Sequence, residues 1–178
     1  FCARRCSYCD FAIAVRRNVP WQRYAEAVDE ECGVRQIAQR CAPLDTLYLG
    51  GGTPSRLGPD GVAATLAALA RHVQLAPDAE ITLEANPEDI SDEAVAAWRA
   101  AGVNRLSIGI QSFDDRVLAW MHRVHDAERA RQAVEVVRRG GIERFSVDLI
   151  FAAPASLGRD WTGDLEAMLA LGADHVSL

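Results

Sequence analysis

Short apolar stretches recur along this chain at intervals of roughly 25–40 residues, each closing on polar or glycine-rich residues. They are 45–49 (DTLYL), 80–84 (EITLE), 105–110 (RLSIGI), 144–150 (RFSVDLI) and 174–178 (DHVSL). Their brevity, their β-branched content and the turn signals around them predict strands. Helical patterns fill the gaps, at 20–39, 59–72, 91–101, 126–139 and 160–171. Pro20, Pro59, Ser91 and Asp126 mark starts, and Gly102 and the Gly140–Gly141 pair mark stops. Strands that alternate with helices make βαβ units, and βαβ units make a parallel sheet. Both a whole or partial (β/α) barrel and a doubly wound sheet satisfy the pattern. In either architecture, ligands collect at the carboxyl ends of the strands.

The 178 residues suit one domain with a sizeable core, and no linker-like or low-complexity segment divides them. The chain opens on a cysteine loop already under way and closes inside a strand pattern. We therefore expect an excerpt of a longer protein, with a first strand before Phe1 and further chain after Leu178. No apolar run approaches the roughly 18 residues of a membrane span, and nothing resembles a secretory leader, so a cytoplasmic protein is expected. A net charge of −6 speaks against nucleic acid as a general partner.

The predicted strand ends gather polar residues. Gly50, Gly51, Gly52, Thr53 and Pro54 follow the first stretch, Glu84 ends the second, Gln111 follows the third, and Asp148 lies in the fourth. A glycine-rich turn lets backbone approach a ligand closely, but this one has the spacing of neither a P-loop nor a dinucleotide fingerprint. Together these residues favour one shared polar ligand. Arg123, in the stretch MHRVH, could add a cation for a ligand carboxylate. His122 and His125 flank it, His72 reads as structural, and His175 is expected to pack within the last strand.

Cys2, Cys6 and Cys9 crowd the opening FCARRCSYCDF. Five cysteines in all, an odd number, disfavour a disulfide framework and leave a metal or redox role for the cluster. Cys32 and Cys41 read as small buried apolar side chains.

Taken together, these stretches resemble the radical S-adenosylmethionine (radical SAM) enzymes over nearly the whole chain. The strongest element is Cys-x3-Cys-x2-Cys, with Tyr8 just before the last thiol. The resemblance implies a partial (β/α)6 barrel, an incomplete TIM-like barrel whose parallel sheet carries outer helices. It implies that Cys2, Cys6 and Cys9 ligate three irons of a [4Fe–4S] cluster, with the fourth iron open to the amino and carboxylate groups of SAM. Zinc would need a fourth ligand, and none of the next twenty residues is His or Cys. Gly51, Gly52 and Thr53 then correspond to the segment meeting the methionine amino group. Glu84, Gln111, Arg123 and Asp148 correspond to the shell around ribose and methionine, and Tyr8 lies by the adenine. A non-radical zinc or thiol-redox module using the same thiols is the alternative of another class.

Within the superfamily, LYLGGGTPSRL, TLEANPE, RLSIGIQSFDD, RVHD and VDLIF are similar to the oxygen-independent coproporphyrinogen III oxidase group, which includes the HemW-type haem chaperones. The oxidases usually carry a further cysteine two places after the last cluster cysteine, where this chain has Phe11. That is the chaperone-type pattern. It implies haem as a ligand, haemoproteins as recipients, and a reductant such as flavodoxin or ferredoxin. The alternative is oxidative decarboxylation of porphyrinogen propionates to vinyls, an oxidoreductase activity in porphyrin biosynthesis. The group commonly continues past VDLI as Tyr-Gly-Leu-Pro-Gly-Gln, whereas this chain reads Phe151-Ala152-Ala153-Pro154-Ala155-Ser156. Ala152 in place of glycine restricts the backbone there.

Overall fold

A computed structural model describes residues 1–39 and 42–178. Cys41, expected to be buried, lies outside the described residues, and of Cys32 the structure makes a partly exposed, unpaired thiol. The strands are β1 (Leu44–Leu49), β2 (Leu75–Ala85), β3 (Arg105–Gln111), β4 (Arg144–Leu149) and β5 (His175–Ser177). They form one sheet in the order β1-β2-β3-β4-β5, and every neighbouring pair is parallel. A doubly wound sheet reverses its strand order at a switch point. Here each crossover steps the same way, as in the wall of a barrel.

The helices are α1 (Trp21–Val34), α2 (Gly58–Ala70), α3 (Asp92–Ala100), α4 (Asp115–Trp120), α5 (Ala127–Arg139) and α6 (Trp161–Ala170). The expected 20–39 helix ends early, at Val34, and α4 has no counterpart in the sequence reading. Four starts are capped by short polar side chains, that of α4 by Asp114, which accepts from the Arg116 N–H at 2.9 Å. Ser91 accepts from the Ala94 N–H at 3.1 Å, Asp126 from Arg129 at 2.7 Å and Asp160 from Gly163 at 2.9 Å.

The two faces of the sheet differ in kind. Ile81, Leu83, Leu106, Ile108, Ile110, Phe145, Val147 and Leu149 are buried with Val62, Trp98, Val134 and Val137 of the helices in one apolar core. The alternate residues make a polar inner face in layers, because side chains alternate along a strand. At the amino ends Glu80 pairs with Arg105 at 3.4 Å and Arg144 at 2.9 Å. In the middle, Ser146 and Ser107 hydroxyls meet at 3.1 Å. Towards the carboxyl ends stand Glu84, in register with Ser107 across β2 and β3, and Asp148, in register with Gly109 across β3 and β4.

His175 is exposed, not packed as expected. β5 is only three residues long and pairs with β4 alone, so little covers its side chains. His72 behaves as expected, its Nε2 lying 2.7 Å from Asp29 Oδ1 across α1 and α2.

Candidate functional site: a thiol loop over the carboxyl rim

The rim of the inner face bounds a cavity of about 330 Å³. Cys2, Cys6, Tyr8 and Cys9 line it from the opening loop, and Gly52, Thr53, Glu84, Gln111, Arg123 and Asp148 from the strand ends. Only Gly51 among the expected residues stays outside, on a second cavity beside Phe1 and Tyr48. The loop is tied down at both ends. Cys2 N–H donates to Ala14 O and Arg16 N–H to Cys2 O, each at 3.1 Å. The Ser7 amide donates to Met121 O at 3.2 Å and its hydroxyl to Trp120 O at 3.0 Å, which docks the loop on the segment after α4.

Gly51 and Gly52 take φ of +86° and +57°, a region that only glycine enters freely. A β-carbon on Gly52 would sit 3.1 Å from Phe1 N and 3.8 Å from Cys2 Sγ, so the turn approaches the thiol loop as backbone. Glu84 is committed to this turn: its carboxylate accepts from Gly51 N–H at 2.7 Å and from Tyr48 OH at 2.9 Å.

Arg123 is the hub of the cavity floor. Its Nη2 donates to Asn86 Oδ1 at 2.7 Å and to Gly109 O at 2.8 Å. Its Nη1 reaches Tyr8 OH at 3.3 Å and Cys6 Sγ at 3.7 Å. Nε is buried with no hydrogen-bond partner among the described residues. Burial works against the guanidinium charge, but Tyr8, Glu88 and Cys6 outweigh it and raise the pKa further. Burial likewise pushes the Tyr8 phenol up to about 12, against the opposing charge of Arg123. Asn86 continues the chain, its Nδ2 donating to Thr53 Oγ1 at 3.3 Å, and Thr53 Oγ1 lies 3.3 Å from Cys2 Sγ.

Gln111 closes β3 at φ +72°, beside an irregularity in the register with β4. His122, also on the cavity, has φ +59°. Two of the three non-glycine residues with positive φ among those described thus border this cavity, a concentration of backbone strain typical of ligand sites. Asp148 accepts from Ser107 Oγ at 3.1 and 3.2 Å. Burial raises its pKa; the Ser107 bond opposes this and the Glu84 charge adds to it. His125 turns away from the cavity: Nδ1 lies 3.2 Å from Glu88 Oε2 and Nε2 3.1 Å from Ile110 O. Burial would raise the Glu88 pKa, but the His125 hydrogen bond and the Arg123 charge hold it below its ordinary value.

Among the described residues, no three His, Cys, Asp or Glu side chains converge on a point that could hold a single metal ion. Thiols that line one cavity without converging suit a cluster, in which each thiolate takes its own iron. Asn86 and Ser107 escaped the sequence reading. The only signal for Asn86 was an Asn-Pro step at a strand end, and for Ser107 the polar phase of an alternating strand.

The sequence matches the family model described as "Radical SAM superfamily" over residues 1–160. The chain belongs to this superfamily. It is 40% identical over 178 residues to the bovine "Radical S-adenosyl methionine domain-containing protein 1, mitochondrial", covering 100% of this chain and 40% of that one. It is 36% identical to the "Heme chaperone HemW" of Lactococcus lactis, again over 100% of this chain and 46% of the relative. Among solved structures, coproporphyrinogen III oxidase (HemN) from Escherichia coli superposes with a TM-score of 0.86 at 27% identity, over 99% of this chain and 42% of that one. The chain therefore spans less than half the length of these relatives. Radical SAM membership implies a [4Fe–4S] cluster and SAM, and the partial barrel expected from the resemblance is the fold observed. No helix among the described residues is long and apolar enough to cross a membrane.

Proposed function

We propose that residues 1–178 are the radical SAM core of a haem chaperone of the HemW type. Cys2, Cys6 and Cys9 hold the cluster, while Tyr8, Gly51, Gly52, Thr53, Glu84, Gln111, Arg123 and Asp148 surround SAM. The observation that carries this reading is the meeting of three thiols and a cationic, polar rim on one cavity. When bound, the cluster and SAM together supply one-electron cleavage of a sulfonium. The chain's own residues bind and orient. Arg123 offers a buried positive charge to a ligand carboxylate. Gln111 and Asp148 offer an amide and a carboxylate on the same cavity, suited to ribose hydroxyls. Gly51 N–H already has Glu84 as its acceptor, so Glu84 sets the shape of the turn as well as facing the cavity.

Phe11 favours the chaperone over the oxidase. It stands at the cavity mouth, 59% exposed, with Val124, 48% exposed, also on the rim. Exposed apolar side chains at a mouth suit a flat apolar macrocycle such as haem. Haemoprotein recipients and a flavodoxin or ferredoxin as reductant belong to the same reading. The likeness to HemN favours a second one, oxidative decarboxylation of coproporphyrinogen III. Full-length protein reconstituted without oxygen separates them. Stable haem binding without coproporphyrinogen turnover is expected, and turnover with SAM and reductant would replace the chaperone by the oxidase.

The cluster has its own test. The reconstituted protein should be brown with about four irons per chain, and Cys6→Ser should lose them. The variant should keep its far-UV circular dichroism, because the apolar core lies on the other face of the sheet. Global unfolding of Cys6→Ser would make the metal structural instead.

A further inference from the structure

Thr53 entered the sequence reading as backbone, yet its side chain is buried against a cluster thiol. The distance alone leaves the direction of the Thr53–Cys2 hydrogen bond open, since either atom can donate. The neighbours together with the thiolate state of a cluster ligand decide it. Arg123 Nη2 can only donate, so the atom of Asn86 that it meets at 2.7 Å is the carbonyl oxygen. The Asn86 amide nitrogen then faces Thr53, and it too can only donate, at 3.3 Å. Thr53 Oγ1 accepts that bond with a lone pair, and a cluster-bound Cys2 is a thiolate with no proton to give, so the Thr53 proton goes to Cys2 Sγ. Arg123 also donates to Cys6 Sγ through Nη1. One buried cation thus feeds two cysteines, Cys6 directly and Cys2 through Asn86 and Thr53.

We infer that Thr53, oriented by Arg123 and Asn86, donates a hydrogen bond to the Cys2 thiolate and raises the reduction potential of the cluster held there; this rests on the cluster reading above. Reduction adds one electron to a group already carrying negative thiolates. Donors at the sulfurs stabilise the more negative state, and so favour its formation. Thr53 acts through Cys2 and is a positioning and tuning residue.

The test is a redox titration of the reconstituted full-length protein with dithionite, followed by electron paramagnetic resonance of the reduced cluster. Thr53→Val, nearly the same shape without the hydroxyl, should keep its irons and shift the midpoint to more negative potential. Thr53→Ser should stay at the wild-type value. Pulsed spectra should show one solvent-exchangeable proton coupling in wild type and Thr53→Ser that Thr53→Val lacks, while the coupling from the Arg123 proton at Cys6 stays in all three. If Thr53→Val loads less iron, Asn86→Asp decides, because its carboxylate takes the hydroxyl proton away from Cys2. Loss there of the Thr53 hydroxyl coupling, seen in wild type and Thr53→Ser, supports the inference and its persistence overturns it. A fully loaded Thr53→Val at wild-type potential overturns this inference alone, whereas wild-type protein that binds no iron overturns the cluster reading with it.

Discussion

Arg123 and Arg159 both lie near the carboxyl end of the sheet with their guanidinium groups largely covered, and their surroundings are opposite. Arg159 meets Asp164 at 2.5 Å, and the two side chains are only 5% and 3% exposed. It also donates to the carbonyls of Ile150 and Gln111, and stacks 4.6 Å over the Trp161 ring. Asp164 is equally complete, accepting from Ser112 Oγ and Phe113 N–H, each at 2.7 Å. Among the described residues, Arg123 has an amide, a carbonyl, a phenol and a thiol as partners, none of them a carboxylate, and its Nε has no partner. One arginine is neutralised in place and fixes the chain at the end of β3. The other keeps its charge available to the cavity. Burial by itself therefore does not separate a structural arginine from a ligand-binding one; the presence of a matched carboxylate does.

The comparison breaks most visibly at Asp164. Removing one partner of a buried ion pair leaves the other charge uncompensated, at a cost of roughly 3–5 kcal/mol. Asp164→Ala should show a loss of that order in chemical denaturation. A loss below about 1 kcal/mol, the range of exposed pairs, would mean that Arg159 and Asp164 are not the matched pair described.

Arg123→Met should reverse the pattern. It strands the Asn86 carbonyl and Gly109 O, for about 1–2 kcal/mol of stability. Its larger effect should be on SAM: losing charge-assisted hydrogen bonds to a carboxylate, about 1.5–3 kcal/mol, weakens binding about 10- to 100-fold. Calorimetric titration of the loaded protein with SAM measures this, and Arg123→Lys should recover only part because an ammonium lacks the planar fork. Equal affinities for SAM in Arg123→Met and wild type would place the ligand carboxylate elsewhere.

The sequence made one of these arginines legible and not the other. Arg123 lies in a motif-bearing stretch, and Cys2, Cys6, Cys9, Glu84, Gln111 and Asp148 could be read the same way, from strand ends and spacing. All five strands were legible because a parallel strand buried on one face by helices is a short apolar run bounded by turns. Arg159 and Asp164 carried no signal. Each is an ordinary charged residue near a helix start, and only the docking of that start on Ser112 and Phe113, just after β3, makes the local pair a buried one. Asn86 was hidden for the same reason: its role depends on three elements meeting at one amide. The helix α4 was missed because six residues hold too few turns to show a periodicity. Cys41 lies outside the described residues.

Asp148 sharpens the contrast from the carboxylate side. Asp164 has a buried cation, whereas among the described residues Asp148 has only the Ser107 hydroxyl as hydrogen-bond donor. Burial raises its pKa, partly opposed by Ser107 and reinforced by Glu84. The sign follows by linkage. An acid whose folded pKa lies above its unfolded value binds its proton more tightly in the folded state, so stability falls as pH rises through that window. Asp148→Asn removes the ionised form and should be more stable than wild type at pH 7. The gain should shrink as pH drops into the ordinary carboxylate range and vanish below it, where both proteins carry a neutral side chain. Denaturation midpoints of the ligand-free pair across pH 3.5–7 give the answer. An Asp148→Asn variant less stable than wild type at pH 7 would mean that the carboxylate has a cationic partner after all, and its contrast with Asp164 would disappear.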